Sequence, residues 1–185
     1  MSLAEPGAGG IYVHFPYCRH RCHYCDFALV TPQEIPQERY TRAVLSELEM
    51  RAGALRSGAQ TLYFGGGTPS LWEPEHVGDI VVASRALHGL ESEAEVTLEL
   101  NPEDVEPSRL RAYVERGANR FSLGVQSLRD DRLRHLDRGH DAARAREAVR
   151  MARASGARAV SVDLIFATPG QATESWSAEL QDSVA

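Results

Sequence analysis

The sequence contains no lysine: all 20 basic residues are arginine, set against 26 acids for a net charge of -6 in 185 residues. The arginines are spread through helical stretches, among them Arg42, Arg51, Arg85 and Arg109, so the all-arginine usage reads as codon bias. With no concentrated basic face, sequence-independent nucleic-acid binding is argued against. Long apolar runs are missing too. None approaches the roughly 18 residues that suggest a membrane span, and the opening MSLAEPGAG carries an acid and no basic segment of the kind that starts a leader peptide. A cytoplasmic protein is therefore expected. Cysteine is scarce, with three in the chain, Cys18, Cys22 and Cys25. An odd number clustered in so short a stretch is not a disulfide framework.

What is present is an ordinary globular composition, 43% apolar and 25% charged, enough for one compact domain. Residues 1–10 read as a short tail and 11–185 as the domain. Five β-rich runs recur with helical sequence between them: Ile11–Phe15, Gln60–Phe64, Glu95–Leu100, Arg120–Val125 and Ala159–Phe166. Each ends on a polar or Gly/Pro break. Helices are expected through Tyr40, Val44, Leu45 and Leu48, through Val77, Ile80, Val81 and Leu87, and around Leu110–Arg116. Further helical sequence starts at Asp130, restarts at Asp141, and begins again near Glu174. This alternation predicts an α/β fold of about five βα units on a parallel sheet, either doubly wound or part of a barrel. In both, chemistry belongs at the carboxyl ends of the strands. There lie the cysteine loop, Gly65-Gly66-Gly67-Thr68, Glu99 with Asn101, Gln126 and Asp163.

The cysteines are spaced C-x3-C-x2-C. Three thiolates can hold three corners of a [4Fe-4S] cube, whereas a cluster that only carries electrons normally takes four. Structural zinc, completed by His14, His20 or His23, is the alternative. Against it, no second hook of Cys or His follows elsewhere in the chain.

At Cys18, Cys22 and Cys25, with the aromatic Tyr24 before the last cysteine, the sequence resembles the radical SAM superfamily. The resemblance is most specific to the branch containing the oxygen-independent coproporphyrinogen III oxidase and the related haem chaperone, and it runs from about Ile11 to the end. It implies a partial TIM-type (β/α) barrel, a [4Fe-4S] cluster on the three cysteines and S-adenosylmethionine on the open iron. An electron from the cluster would then cleave the sulfonium to a radical. Carried over by motif, Tyr12 in YVHFPYC, Gly66, Gly67 and Thr68 in GGGTPS, Glu99 in LELNP, Gln126 in LGVQS, Arg138 in LDRGH and Asp163 in VDLIF match positions near the cofactors. Acids, an amide and an arginine suit the amino, carboxylate and ribose groups of S-adenosylmethionine.

Two departures refine the expectation. The oxidase side shows a further cysteine two residues after the third, where this chain reads Cys25-Asp26-Phe27; that ending resembles the haem-chaperone side. Haem binding and delivery is the expected function, with coproporphyrinogen III oxidation as the alternative. The implied partners are haem or porphyrin, an electron donor such as flavodoxin or ferredoxin, and an unidentified haem acceptor. The resembled proteins also continue into a carboxyl-terminal domain with an HNxxYW haem motif that this sequence lacks, so a truncated product that completes neither task is a third expectation. Finally, Ala167 stands where the family often has glycine.

Overall fold

The structure, a computed structural model, describes residues 9–55 and 58–184. The five β-rich runs form strands β1 (Gly9–Phe15), β2 (Ala59–Gly66), β3 (Glu95–Leu100), β4 (Arg120–Gln126) and β5 (Ala159–Leu164). They lie in one sheet in the order β1-β2-β3-β4-β5, and every neighbouring pair is parallel. This order settles what periodicity left open. A doubly wound sheet reverses its strand order at a switch point, whereas a barrel wall adds each strand beside the last. The sheet is the arc of a partial TIM-type barrel.

Helices α1 (Gln37–Met50), α2 (Pro74–His88), α3 (Pro107–Glu115), α4 (Asp130–His135), α5 (Ala142–Arg153) and α6 (Thr173–Val184) follow the strands in turn. Local chemistry sets their ends. Pro74 opens α2, and Gly89, at φ +60, closes it in the left-handed conformation, which glycine adopts without penalty. The Asp141 carboxylate caps α5 by accepting the Arg144 N–H at 2.7 Å, which satisfies a donor the helix cannot pair itself.

One face of the sheet is apolar and the other polar, as alternation along a strand requires. Phe15, Leu62, Phe64, Leu98, Phe121 and Leu123 are buried in the core against the helix layer. Trp72 stacks on Phe15 with ring centroids 4.7 Å apart, and its indole N–H donates to Thr41 Oγ1 at 2.9 Å. Tyr12, His14, Tyr63, Glu99, Ser122 and Asp163 alternate with these and face the other way. Hydrogen bonds link them across strands, such as Tyr63 to Glu99 and Ser122 to Asp163.

The structure shifts three expected boundaries. Residues 1–8 of the expected tail lie outside the described residues, and Gly9 and Gly10 already pair with β2. Strand β2 runs into the glycine triplet as far as Gly66. Strand β5 stops at Leu164 and does not reach Phe166. There the backbone turns out of the sheet, with Ala167 at φ +58 and Phe166 70% exposed. Among the described residues, no helix is long and apolar enough to cross a membrane.

Candidate functional site

The cysteine loop is a closed excursion from the end of β1. Cys18 N–H donates to Val30 O at 3.0 Å and Val30 N–H to Pro16 O at 2.8 Å, so the stretch leaves and returns at one point. His14 pins it from below: its Nε2–H donates to Ala28 O at 2.8 Å, while Nδ1 accepts the Tyr12 hydroxyl at 3.0 Å. A carbonyl can only accept, which fixes the tautomer.

The glycine loop at the end of β2 meets this excursion. Gly67 N–H donates to Phe15 O at 2.7 Å and Thr68 N–H to Tyr17 O at 2.9 Å. Thr68 Oγ1 donates to Cys18 Sγ at 3.3 Å. A Cβ on Gly67 would stand 2.7 Å from Tyr17 O and 3.0 Å from Cys18 Sγ. The approach is therefore closed to any other residue. From behind, α3 holds the same segment: the Tyr113 hydroxyl donates toward the carbonyls of Ser70 and Trp72, and Arg109 Nη2 donates to Trp72 O at 2.8 Å.

Above the strand ends lies a cavity of about 710 Å³, walled by Cys18, Cys22, Cys25, Tyr24, Gly66, Gly67 and Thr68 on one side and by Glu99, Gln126, Arg138 and Asp163 on the other. Burial pushes the Cys18 thiol up, and the neighbouring Cys25 and Cys22 add to this, opposed by the Thr68 hydrogen bond and by Arg138. Ionising such a group of thiols is relieved by a bound cation. Glu99 accepts Tyr63 Oη–H at 2.7 Å and Gly66 N–H at 3.2 Å. Burial nevertheless carries its carboxyl above the usual range, with Asp163 contributing. Asp163 accepts from Ser122 Oγ, 3.1 Å from Oδ2. Gln126 ends β4 at φ +64, a left-handed conformation uncommon for a residue with a side chain.

Arg138 spans the cavity wall. Its Nη2 donates to Asn101 Oδ1 at 2.6 Å and to Gly124 O at 3.1 Å, and Nη1 lies 3.8 Å from Cys22 Sγ. Among the described residues, its buried Nε–H has no partner. An orphaned donor, a thiol trio and a backbone with no room for a Cβ fit a cluster with an anionic ligand beside it. Among the described residues, no three His, Cys, Asp or Glu side chains are gathered to hold a single metal ion. Tetrahedral zinc needs its ligands within about 2.3 Å of one centre, whereas a cubane takes each thiolate at a separate corner.

Of the sequence-predicted residues, all but Tyr12 line this cavity. Tyr12 stands beside the cavity on the polar face of the sheet: it is 59% exposed, bonds to His14 and stacks on Tyr63, with centroids 6.1 Å apart, whose hydroxyl donates to Glu99. Three participants went unassigned in the sequence. Asn101 donates to Thr68 Oγ1 at 3.1 Å while accepting from Arg138. Glu103 pairs with His140, and although burial opposes its charge, that hydrogen bond and Arg138 hold its carboxyl below the usual range. Asn101 and Glu103 directly follow the LEL run of β3, so their position was legible even though their role was not.

The radical SAM superfamily sequence model matches residues 12–181. The heme chaperone HemW of Haemophilus influenzae is 34% identical over 180 residues, covering 94% of this chain and 47% of that protein. Radical S-adenosyl methionine domain-containing protein 1, mitochondrial, of Danio rerio is 38% identical over 173 residues, covering 93% and 39%. The chain thus spans less than half the length of these relatives. Among solved structures, the coproporphyrinogen III oxidase HemN of Escherichia coli, described as a radical SAM enzyme, superposes with a TM-score of 0.81 at 27% identity, covering 94% of this chain and 40% of that one. By its matched length, its three-cysteine loop and its barrel arc, the chain belongs to the radical SAM superfamily.

Proposed function

We propose that Cys18, Cys22 and Cys25 hold a [4Fe-4S] cluster, that S-adenosylmethionine binds in the adjoining cavity, and that the chain serves haem trafficking as part of a haem chaperone. The observation that carries this reading is the single cavity bringing the three thiols together with Gly66, Gly67, Thr68, Glu99, Gln126, Arg138 and Asp163. When bound, the cluster and S-adenosylmethionine supply one-electron radical chemistry. The protein's own residues orient and enclose. Gly66 and Gly67 let backbone approach a ligand without a Cβ between them. Glu99 and Asp163 accept from amino or hydroxyl groups, Arg138 offers its guanidinium to a carboxylate, and Gln126 can do either.

The chaperone assignment rests on relatives such as the heme chaperone HemW proteins of Haemophilus influenzae and Escherichia coli, each 34% identical, and on Asp26 after the third cysteine. Coproporphyrinogen III oxidation is the second reading, favoured by the superposition on that oxidase. A cytoplasmic setting, residues 11–185 as one radical SAM core, an electron donor of the flavodoxin or ferredoxin type and a separate haem acceptor belong to the same proposal. Anaerobic reconstitution followed by haem titration and a coproporphyrinogen turnover assay tests it. The expected result is haem binding without porphyrinogen consumption. Turnover would establish the oxidase reading, and a loaded chain that does neither would be a partial domain.

A further inference from the structure

Gln126 enters the cavity from a backbone that its side chain does not favour. Non-glycine residues hold a left-handed φ such as its +64 only where the surroundings enforce it. Two contacts enforce it from the sheet side: Ile165 N–H donates to Gln126 O at 2.9 Å, and Ser127 N–H donates back to Val125 O at 2.8 Å, closing a tight turn around Gln126. The other side of the turn is held by Glu179 of α6. Its Oε1 accepts the Leu128 N–H at 2.7 Å and also the Ser127 hydroxyl. Its Oε2 faces Gln171 Nε2 at 3.5 Å and Arg132 Nη1 at 3.9 Å.

The Glu179 side chain is 1% exposed, and Ser127 is likewise buried. Burying a carboxylate is unfavourable unless its oxygens are matched by donors. A helix needed only to cover the sheet would place an apolar side chain at this point. Here the buried acid is aimed at two donors of the one turn that carries Gln126. The Gln126 amide in turn lies over the bare Cα of Gly124, where a Cβ would meet Nε2 at 2.8 Å.

We infer that Glu179 is a positioning residue for the cofactor cavity: by accepting from Ser127 and Leu128 it fixes the turn that presents Gln126 to S-adenosylmethionine. The inference rests on the reading of that cavity as the S-adenosylmethionine site. Without Glu179, the Ser127–Leu128 segment loses its partner, and Gln126 is free to return to an ordinary extended conformation that withdraws the amide.

The test uses the full chain, anaerobically reconstituted, with S-adenosylmethionine affinity read by equilibrium dialysis and by the change in the reduced-cluster EPR signal. Glu179→Ala should weaken binding by about tenfold or more while iron content stays at the wild-type level, and Glu179→Gln, whose amide oxygen still accepts from the turn, should stay within about threefold. In a Gln126→Ala background, Glu179→Ala should add no further loss, because residues that act as a unit are not additive. A Glu179→Ala chain that binds like wild type, an equal extra loss in the Gln126→Ala background, or a Glu179→Gln chain as weak as the alanine variant would overturn the inference. Should Glu179→Ala fail to fold, Ser127→Ala removes half of the same clamp, and unchanged affinity there overturns it too. A wild-type chain that loads its cluster and binds no S-adenosylmethionine is a different result, and refutes the site reading itself.

Discussion

Replacing Gly67 with alanine isolates the contact on which the cluster loop depends. The added Cβ would lie 2.7 Å from Tyr17 O, 3.0 Å from the Pro16 carbonyl carbon and 3.0 Å from Cys18 Sγ. Ordinary contact begins near about 3.5 Å, so the loop must retreat by roughly 0.5–0.8 Å. None of the three neighbours is the end of a flexible side chain. Two are backbone and the third is a proposed cluster ligand. The retreat also pulls on the Gly67 N–H bond to Phe15 O and the Thr68 N–H bond to Tyr17 O. Overpacking of this kind costs about 1–3 kcal/mol and each weakened hydrogen bond up to about 1 kcal/mol. A total near 2–3 kcal/mol corresponds to a fall in Tm of about 5–10 °C for a domain of this size.

The assay pairs a thermal melt of the apo chain with iron and sulfide content after anaerobic reconstitution. Gly67→Ala should lose both stability and iron, because the displaced atom set includes Cys18. Gly53→Ala is the control. It sits at φ +79 with nothing among the described residues within 4 Å of the new Cβ, so it carries the left-handed penalty of about 1–2 kcal/mol far from the cysteines and should load iron fully. A Gly67→Ala chain with wild-type Tm and wild-type iron would refute the crowding argument.

Other substitutions test the remaining links. Cys22→Ala should abolish both the roughly four irons per chain expected after reconstitution and the S-adenosylmethionine-dependent EPR change; a full cluster in that variant, or stoichiometric zinc in the native chain, defeats the cluster assignment. Ala167→Gly should stabilise the chain by about 0.5–1 kcal/mol, the left-handed penalty less the extra freedom glycine gives the unfolded chain, and a calorimetric Tm at or below wild type counts against it. Glu99 holds its proton longer in the folded chain than in the unfolded one, so stability should decline as pH rises from the ordinary value of 4.5 through the raised one. Glu99→Gln should flatten that decline in urea titrations run across pH while weakening S-adenosylmethionine binding. Glu103 has the opposite sign: its depressed carboxyl adds stability above the ordinary value that is lost as pH falls through the folded one, and Glu103→Gln should remove that acid-side loss.

Much of the architecture could be read from the chain because each strand is followed closely by a break in its pattern. The glycine triplet, Asn101-Pro102 and Thr168-Pro169-Gly170 all break the apolar alternation at or just beyond a strand end, and the chemistry-bearing side chains sit beside those breaks, although β2 runs on to Gly66 and β5 stops earlier, at Leu164. Periodicity alone left barrel arc and doubly wound sheet indistinguishable, because strand order is a long-range property that local patterning does not encode; the barrel expectation came from the resemblance and the strand order bears it out. Tyr12 shows what a motif leaves out. The YVHFPYC motif pointed to it through the resemblance alone; alternation along β1 puts it on the polar face with His14, to which it bonds, and Tyr63, and that side-chain network is not written in the motif.

The residues that hold the site in shape were hidden for a common physical reason. Arg109, Tyr113 and Glu179 are polar residues on helices and His140 is one in the loop before α5, and such positions alone predict a solvated face for them. In the structure each turns inward to satisfy backbone or charged groups at the strand ends: Tyr113 and Arg109 under the glycine loop, His140 between Glu103 and Val125 O, Glu179 under the β4 turn. Strand ends at the rim of a parallel barrel leave carbonyl and N–H groups without a ladder partner, and a site built there keeps its shape only if the helices supply those partners. Two neighbouring strand ends carry left-handed non-glycine residues, Gln126 and Ala167, and the register between β4 and β5 shifts between Leu123 and Gln126. Strain and irregular pairing thus coincide on the cavity side of these strands, where Gln126 must point at a ligand instead of continuing the sheet. The polar contacts from the helices and from the loop before α5 are the forces that make that departure from regular structure stable.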